Sequence, residues 1–203
     1  MSRVAILALG NSALRFDPAG YDAVYALPWD AENAPKATHL FEMHPLELLG
    51  APATGIGGSG RSVSYLETLR SHPIGTLFMQ QAYPEVPNAH AYPLFDVQKT
   101  LGRDYFGSSP AYMLGLAIHL RFERIEMYGV DLDDSIYDHQ RPNLEWLIGF
   151  AQGQRTEVYV PPASRLMTFR QFDRLGSIEV RYPVRYGYEP MVRRETWENP
   201  TIR

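Results

Sequence analysis

Gly10, Asn11 and Ser12 form a short polar loop directly after the apolar run Arg3 to Leu9. A glycine at such a turn lets backbone N–H groups approach an anion closely, and the Asn11 amide can both donate and accept hydrogen bonds. The loop has one glycine, whereas a dinucleotide-binding fingerprint has three. The stretch therefore predicts either a phosphate-binding turn or a tight turn that Asn11 caps locally.

An acidic turn follows a second apolar run, Arg124 to Val130, and leads to His139. An aspartate at the carboxyl end of a strand can bind Mg²⁺, a ribose hydroxyl or a loop backbone, and Asp131 is the best placed aspartate of this turn. A neutral imidazole such as that of His139 can act as a general base near pH 7. The structural alternatives are a solvated acidic turn and an ordinary surface histidine.

Two serines precede a helical pattern that includes Pro110. We predict Ser109 as the N-cap and Pro110 as the first helical residue, because the fixed φ of proline suits a helix and its missing N–H would be unpaired there anyway. The turns that follow are apolar nearly all round, which predicts a helix packed deep against a sheet. The N-terminus of such a helix favours anions, so Ser108 and Ser109 are candidates for contacting one.

The stretch HLFEMH (39–44) places a carboxylate in a run that otherwise has the pattern of a buried strand. A buried carboxylate needs a partner, and the edge of a sheet is where a ligand can supply one. We expect Glu42 and His44 to face the same cleft as Gly10, because the ends of parallel strands meet at one edge. A metal site of His39, Glu42 and His44 is a weaker alternative, since their spacing matches no recognised ligand pattern.

The stretch GIGGSGRS (55–62) matches a phosphate-binding P-loop, except that Arg61 occupies the position of the lysine. Pro52 interrupts the preceding residues, which do not have the pattern of a strand, so the strand-loop-helix geometry of a P-loop is missing. We therefore predict a mobile glycine-rich loop over the site.

These candidates need a scaffold, and the sequence predicts one of the α/β class. Apolar runs alternate with helical patterns, which is typical of a Rossmann-like, doubly wound and mostly parallel sheet. The predicted strands are Arg3 to Leu9, Ala23 to Leu27, Thr38 to Glu42, Gly75 to Met79, Arg124 to Val130 and Thr156 to Val160. Helices are predicted from Ser109 and from about Pro142 to Gly153.

Residues 1–165 are predicted to form one nucleotide-binding domain of this kind, and residues 166–203 a C-terminal extension. The extension is rich in Tyr, Arg and Pro and has no clean period. It is expected to be an arm that either makes a homo-oligomer contact or lies along the surface of its own domain.

The composition of the 203 residues excludes several classes of protein. The formal charge of −4 gives no basic field for nucleic acid. The absence of cysteine excludes disulfides, thiolate metal sites and a cysteine nucleophile, and is typical of a reducing compartment. No apolar run approaches the roughly 18 residues that a membrane span needs. We therefore predict a cytoplasmic protein with no nucleic-acid or membrane partner.

Three stretches, in order, resemble a known superfamily. ALGNSAL (8–14), SSPAYM (108–113) and IEMYGVD (125–131) look like the runs A-G-N-G-P-S-L, T-S-G-V-Y-M and I-Y-L-S-G-I-D of bacterial family-42 sialyltransferases. Those enzymes share a Rossmann-like superfamily with archaeal hydroxymethylpterin pyrophosphokinases, and short members of the superfamily look common among phage proteins. His139 lies where the sialyltransferase general base precedes a D-I-K-A-L-E-F-L helix, and Ser164 matches a C-P-N-S-L turn. The resemblance covers the first strand and loop, and residues 105–164.

The resemblance implies that His139 is a general base and that one set of residues binds a nucleotide: Gly10, Asn11, Ser12, Asp30, Ser108, Ser109 and Tyr112. Three departures are evident. The loop lacks the second glycine of the family, Asp30 stands where the family prefers asparagine, and no counterpart of the long acceptor-covering insertion is present. Nucleotide binding is therefore better supported than sialyl transfer.

Two functions from different classes follow. The first is a transferase that uses a CMP-sugar-like donor with His139 as base, or ATP with Mg²⁺ at Asp131 in pyrophosphoryl transfer. Arg61, Arg103 or Arg141 would neutralise the departing phosphates. The second is a protein that binds or sequesters a nucleotide without turnover. In either case the partner is a nucleotide or nucleotide sugar, and apart from Mg²⁺ no tightly bound cofactor is expected.

Overall fold

A seven-stranded sheet organises the N-terminal part of the chain. The structure is a computed structural model, and it describes residues 1–28, 37–49, 63–71, 76–132, 135–167, 171–172 and 179–180. Across the sheet the strands follow the order β5-β4-β3-β2-β1-β6-β7, and every neighbouring pair is parallel. The predicted α/β class with a parallel sheet is confirmed. The strands are β1 (Arg3–Leu7), β2 (Ala23–Ala26), β3 (His39–Glu42), β4 (Thr76–Met79), β5 (Ala89–Ala91), β6 (Arg124–Tyr128) and β7 (Glu157–Tyr159).

Helices cover both faces of the sheet. They are α1 (Leu46–Leu49), α2 (Val63–Ser71), α3 (Leu94–Leu101), α4 (Ser109–His119) and α5 (Arg141–Gly153), with 3₁₀ helices at Asn11–Arg15 and Ser135–Gln140. One core joins α3, α4 and α5 to side chains such as Ile6 and Phe41. A second core on the other face joins α1 and α2 to Leu7 and Leu40. Both faces of the central strands are therefore buried, which explains their nearly unbroken apolar runs.

The direction in which the chain crosses the sheet reverses between β1 and β6. From β1 the chain proceeds outward through β2, β3, β4 and β5, and then returns to place β6 on the opposite side of β1. Leu7, at the carboxyl end of β1, pairs with Ala26 of β2 and with Tyr128 of β6. The carboxyl ends of β1 and β6 therefore form a topological switch point, where open α/β sheets characteristically bind ligands.

Glu126 is a buried carboxylate near the middle of β6, and its side chain is 4% exposed. Its Oε1 accepts from Arg3 Nη2 at 2.8 Å and from Arg124 Nε at 2.6 Å. Its Oε2 accepts from the hydroxyls of Tyr21 at 2.8 Å and Tyr128 at 2.7 Å. Burial alone would raise the pKa of Glu126, but these four donors outweigh it and lower the pKa to about 2.

The predicted strands are all present, each trimmed at its ends, and the helix predicted near Pro142 runs over Arg141–Gly153. The elements β5, α1 and α3 are among those that were not predicted. The strand β5 is short and largely exposed, so it has no apolar run. The glycine-rich stretch 55–62 with Arg61, predicted as a loop over the site, and the predicted nucleotide contact Asp30 lie outside the described residues.

The chain divides into two compact units, Met1–Leu166 and Met167–Arg203. In the second unit the described residues are β8 (Gln171–Phe172) and β9 (Glu179–Val180), which pair antiparallel. Among the described residues, no helix has the length and apolar character needed to cross a bilayer.

Candidate functional site

A cavity of about 360 Å³ lies at the switch point. Its wall is formed by the chain segments that leave β1, β2 and β6, by the N-terminus of α4 and by the Ser135–Gln140 3₁₀ helix. This size falls within the range of small-molecule sites in proteins. The lining residues are Ala8, Leu9, Gly10, Leu27, Pro110, Gly129, Val130, Asp131, Leu132, Tyr137 and Gln140.

Two glycines let the segments after β1 and β6 approach each other. A Cβ on Gly10 would lie 2.5 Å from Asp131 Oδ2 and 2.7 Å from the Gly129 carbonyl oxygen. Gly129 has a φ of +71°, and a Cβ there would lie 2.0 Å from the Ala8 carbonyl oxygen. The Gly10 N–H donates to that same Gly129 carbonyl at 2.8 Å. The glycine of the loop is therefore required by close packing of two backbones.

Asp131 holds the Gly10 loop in place. This carboxylate is 2% exposed, and its Oδ2 accepts from the backbone N–H of Ser12 at 2.7 Å. Its Oδ1 accepts from the Ser12 hydroxyl, which in turn accepts from the Gly129 N–H at 2.7 Å. The Ser12 side chain is thus buried inside this network and does not line the cavity.

Both oxygens of Asp131 accept hydrogen bonds from Ser12, and the binding of Mg²⁺ at Asp131 stays a prediction. Among the described residues, no group of three or more His, Asp and Glu side chains is arranged to hold a metal ion. The geometry of Asp131 is that of a residue that positions the loop.

The N-terminus of α4 reaches the cavity through Pro110. Ser108 is the N-cap, and its Oγ accepts from the Ala111 N–H at 3.4 Å, so the predicted cap at Ser109 is wrong by one residue. Proline is tolerated anywhere in the first turn of a helix, and Pro110 therefore did not distinguish the two serines. Tyr112 stacks on Phe106 with ring centroids 4.6 Å apart and is not one of the residues lining the cavity.

Ser164 and Arg141 fasten the segment after β7. The Ser164 hydroxyl donates to the Val130 carbonyl at 3.0 Å and accepts from the Leu166 N–H at 3.1 Å. Arg141 Nη1 donates to the Arg165 carbonyl at 2.7 Å and lies 3.2 Å from Glu145 Oε1. Ser164 thereby supports Val130, which lines the cavity, whereas Arg141 does not line it.

His139 lies in the last turn of the Ser135–Gln140 3₁₀ helix, at the carboxyl edge of the sheet. Its neighbours Tyr137 and Gln140 line the cavity, while His139 is exposed and is not among the lining residues. Asn11 is likewise exposed, beside the cavity wall at Gly10.

Glu42 and His44 lie at the same edge of the sheet as Gly10, because Leu40 pairs with Ala26 and Ala26 pairs with Leu7. Neither residue lines the cavity at the switch point, and a cleft shared with Gly10 stays a prediction. The Glu42 side chain turns toward α2, where Tyr65 donates to its Oε2 at 2.5 Å. The His44 side chain is 44% exposed, and its Nδ1 lies 2.6 Å from Glu42 Oε1.

A metal site that includes His39 is ruled out by the alternation of side chains along β3. His39 stacks with Phe78 and packs edge-on against Tyr25, on the face opposite to Glu42. Its Nδ1 lies 2.8 Å from Thr38 Oγ1. Residues an odd number of positions apart in a strand face opposite sides, so His39 and Glu42 cannot share one ion.

Known structures similar to this chain include several of the sialyltransferase CstII from Campylobacter jejuni. The complex with the substrate analogue cytidine-5'-monophosphate is 18% identical with a TM-score of 0.51, over 83% of this chain and 84% of that one. The complex with CMP-3FNeuAc is 16% identical with a TM-score of 0.54, over the same shares. The complex with a trisaccharide acceptor and CMP has 16% identity and a TM-score of 0.50, again over 83% and 84%.

At this level of identity the similarity establishes a shared fold. No protein-family model matches the sequence, and no curated protein matches it.

The N-terminus of α4 is the part of the cavity wall that suits an anionic group. The first turn of α4 lies at the wall, and the dipole of a helix N-terminus favours negative charge. In the Gly10 loop, the N–H groups of Gly10 and Ser12 already donate to the Gly129 carbonyl and to Asp131. Apolar residues such as Leu9, Leu27 and Val130 form much of the remaining wall. A ligand with a flat apolar part and a phosphate fits this combination.

Proposed function

We propose that this protein is a nucleotide-sugar-dependent glycosyltransferase that binds the nucleotide part of its donor in the cavity at the switch point. The observation that supports this most directly is the cavity itself, formed by the Gly10 loop and the α4 N-terminus between β1 and β6. The likeness of fold to CstII structures that contain CMP or CMP-3FNeuAc supports a cytidine nucleotide as the leaving group.

In the proposed reaction a hydroxyl oxygen of the acceptor bonds to the anomeric carbon of the donor sugar. The bond from that carbon to the phosphate oxygen breaks, and its electron pair leaves with the nucleotide. The hydroxyl proton passes to a general base. Negative charge grows on the phosphate, where the α4 N-terminus would stabilise it.

The other roles in this proposal are assigned from the sequence. The resemblance implies His139 as the base, and Asn11, Ser109 and Asp30 as nucleotide contacts. Of the arginines, Arg103 lies over the Trp146 ring at 5.2 Å and Arg141 is bonded to the Arg165 carbonyl.

Nucleotide binding is tested by thermal unfolding with CMP, CDP, UDP and ATP. A nucleotide at 100 times its Kd adds about 2.7 kcal/mol to the free energy of unfolding. We expect CMP to give the largest rise in Tm. If none of the nucleotides at millimolar concentration changes the Tm, the proposal is wrong.

Turnover is tested separately by chromatography of products formed from CMP-sialic acid in the presence and absence of lactose. Release of CMP together with a new glycoside supports the transferase. Binding of CMP with no turnover of CMP or UDP sugars would instead identify a nucleotide-sequestering protein.

A further inference from the structure

Asn143 is a buried polar residue in the first turn of α5. It is 3% exposed, and within the described part of the chain its Oδ1 has no hydrogen-bond partner. The buried hydroxyls of Ser12 and Ser164, in contrast, are both hydrogen-bonded. A buried polar atom without a partner lowers the stability of the folded state. Hydrogen bonding within the fold therefore does not explain why an amide occupies this position.

The amide of Asn143 lies against Gly107, the residue directly before the α4 N-cap Ser108. A Cβ on Gly107 would overlap Asn143 Nδ2 and would lie 3.4 Å from its Cγ. The three atoms nearest to such a Cβ all belong to the Asn143 side chain. The chain that enters α4 is therefore in direct contact with the first turn of α5.

Both helices joined by this contact reach the cavity at their N-termini. Pro110, in the first turn of α4, and Gln140, the N-cap of α5, are lining residues. Asn143 follows Gln140 by three positions, and residues at that spacing lie on the same side of a helix. The contact between Gly107 and Asn143 thus joins the two helices close to the place where both form the wall.

The start of α4 has to be held in place if it is to act on a phosphate. The favourable interaction of an anion with a helix N-terminus falls off within the first turn. The Ser108 side chain caps α4 only weakly, because its Oγ lies 3.4 Å from the Ala111 nitrogen. The contact with Asn143 is a second constraint on the same turn.

We infer that the contact of Asn143 with Gly107 positions the α4 N-terminus against the donor phosphate, which makes Asn143 a positioning residue of the proposed transfer. The inference rests on the proposed function. Asn143 is not a lining residue, so it acts through α4 and not by touching the nucleotide. The leaving phosphate gains negative charge, so a displaced α4 should lower both the affinity for CMP and kcat/KM.

The test is a double-mutant cycle in the full chain with G107A, N143A and G107A/N143A. The added Cβ of G107A does not fit beside the amide, so the start of α4 must move. N143A removes the constraint from the other side. In each single variant the affinity for CMP, and kcat/KM with CMP-sialic acid and lactose, should fall about 2- to 30-fold. The double variant should recover part of the G107A loss, because the added Cβ then faces a methyl group.

Two controls separate positioning from a general loosening of the fold. G149A is the matched variant, because Gly149 lies in α5 with no atom within 4 Å of an added Cβ, and it should bind CMP like the wild type. Cytidine is the matched ligand, because it lacks the phosphate on which α4 would act. Titration calorimetry should show that the Kd for CMP rises in G107A and N143A while the Kd for cytidine does not.

Three results would overturn the inference. The first is wild-type affinity for CMP in both single variants. The second is a loss in the double variant equal to the product of the single losses, since residues that act through one contact are not additive. The third is an equal loss of affinity for CMP and cytidine. If G107A does not fold, N143A measured with the two ligands decides the question.

Failure of the proposed function gives a different result. If the wild type binds CMP but transfers no sugar, the transferase proposal fails, and the affinities for CMP and cytidine still decide the role of Asn143 in holding α4. If the wild type binds no nucleotide, the proposed function fails and this inference fails with it.

Discussion

The backbone N–H of Ser12 donates to Asp131 Oδ2 over 2.7 Å, although the two residues are 119 positions apart in the sequence. This bond joins the loop after β1 to the segment after β6 across the switch point. The contact therefore positions the two segments that line the cavity, and Asp131 is itself one of the lining residues. Disturbing that contact should change both stability and ligand binding.

We expect D131N to destabilise the protein by about 1 to 3 kcal/mol, because an amide replaces one acceptor by a donor that faces the Ser12 N–H or hydroxyl. The measurement is urea unfolding, with the CMP-induced change in Tm as a second readout that should also fall. D104N, at an exposed aspartate, is the control. Unchanged stability in D131N would mean that Asp131 does not hold the loop.

G10A and G149A form a matched pair of glycine replacements. G10A should destabilise by about 1 to 3 kcal/mol, because its Cβ would lie within 2.7 Å of both Asp131 and the Gly129 carbonyl. Gly149 lies within α5 with no atom within 4 Å of an added Cβ, so G149A should stabilise by about 0.5 to 1 kcal/mol. Thermal and urea unfolding of both variants would measure this, and equal effects would contradict the close packing at Gly10.

Asn11 is predicted to contact the nucleotide, and N11A should reduce the CMP-induced rise in Tm without lowering the Tm of the free protein. The side chain is exposed, so its removal costs little in the absence of ligand. L14A is the control, since Leu14 is on the same 3₁₀ helix and is 90% exposed. An undiminished response to CMP in N11A would exclude this contact.

Glu126 should make stability depend on pH at the acidic end. Its pKa in the folded protein is lowered to about 2, so the carboxylate stabilises the fold at pH values above its ordinary pKa. That stabilisation is lost as the pH falls from about 4.5 toward 2. E126Q should be less stable at pH 7, because Arg3 and Arg124 lose their shared charged partner, and it should lose less stability on acidification.

The measurement for Glu126 is the urea midpoint between pH 7 and pH 2. E67Q, at an exposed glutamate of α2, is the matched control and should follow the wild type throughout. An E126Q curve parallel to that of the wild type would show that other carboxylates dominate acid unfolding.

The central strands could be predicted because an unbroken apolar run indicates a strand that is buried on both faces. The strands β1 and β6 are buried in this way, since helices pack on both faces of the sheet. The parallel arrangement of the strands was enough to predict that the candidate residues lie at the carboxyl edge of the sheet. The strand β5 escaped prediction because Ala89, His90 and Ala91 are largely exposed and have no apolar pattern.

The polar contacts were less accessible to sequence reasoning. Glu42 and His44 are two positions apart at a strand end, and that spacing could have predicted a shared face. The pairing of Ser12 with Asp131 had no local signal, since only the β1–β6 register brings them together. Ser12 and Asp131 were therefore predicted as ligand contacts, although the structure shows them bonded to each other.

The 119 positions between Ser12 and Asp131 also set the time at which the candidate site can first exist during protein synthesis. At about 5 to 20 residues per second, a ribosome needs roughly 6 to 24 s to add that length of chain. Before β6 has been synthesised, β1 lacks its β6 partner and the Gly10 loop lacks its contact with Asp131. A nascent chain halted before β6 should therefore be unable to retain a nucleotide, however much of β1 to β5 has already formed.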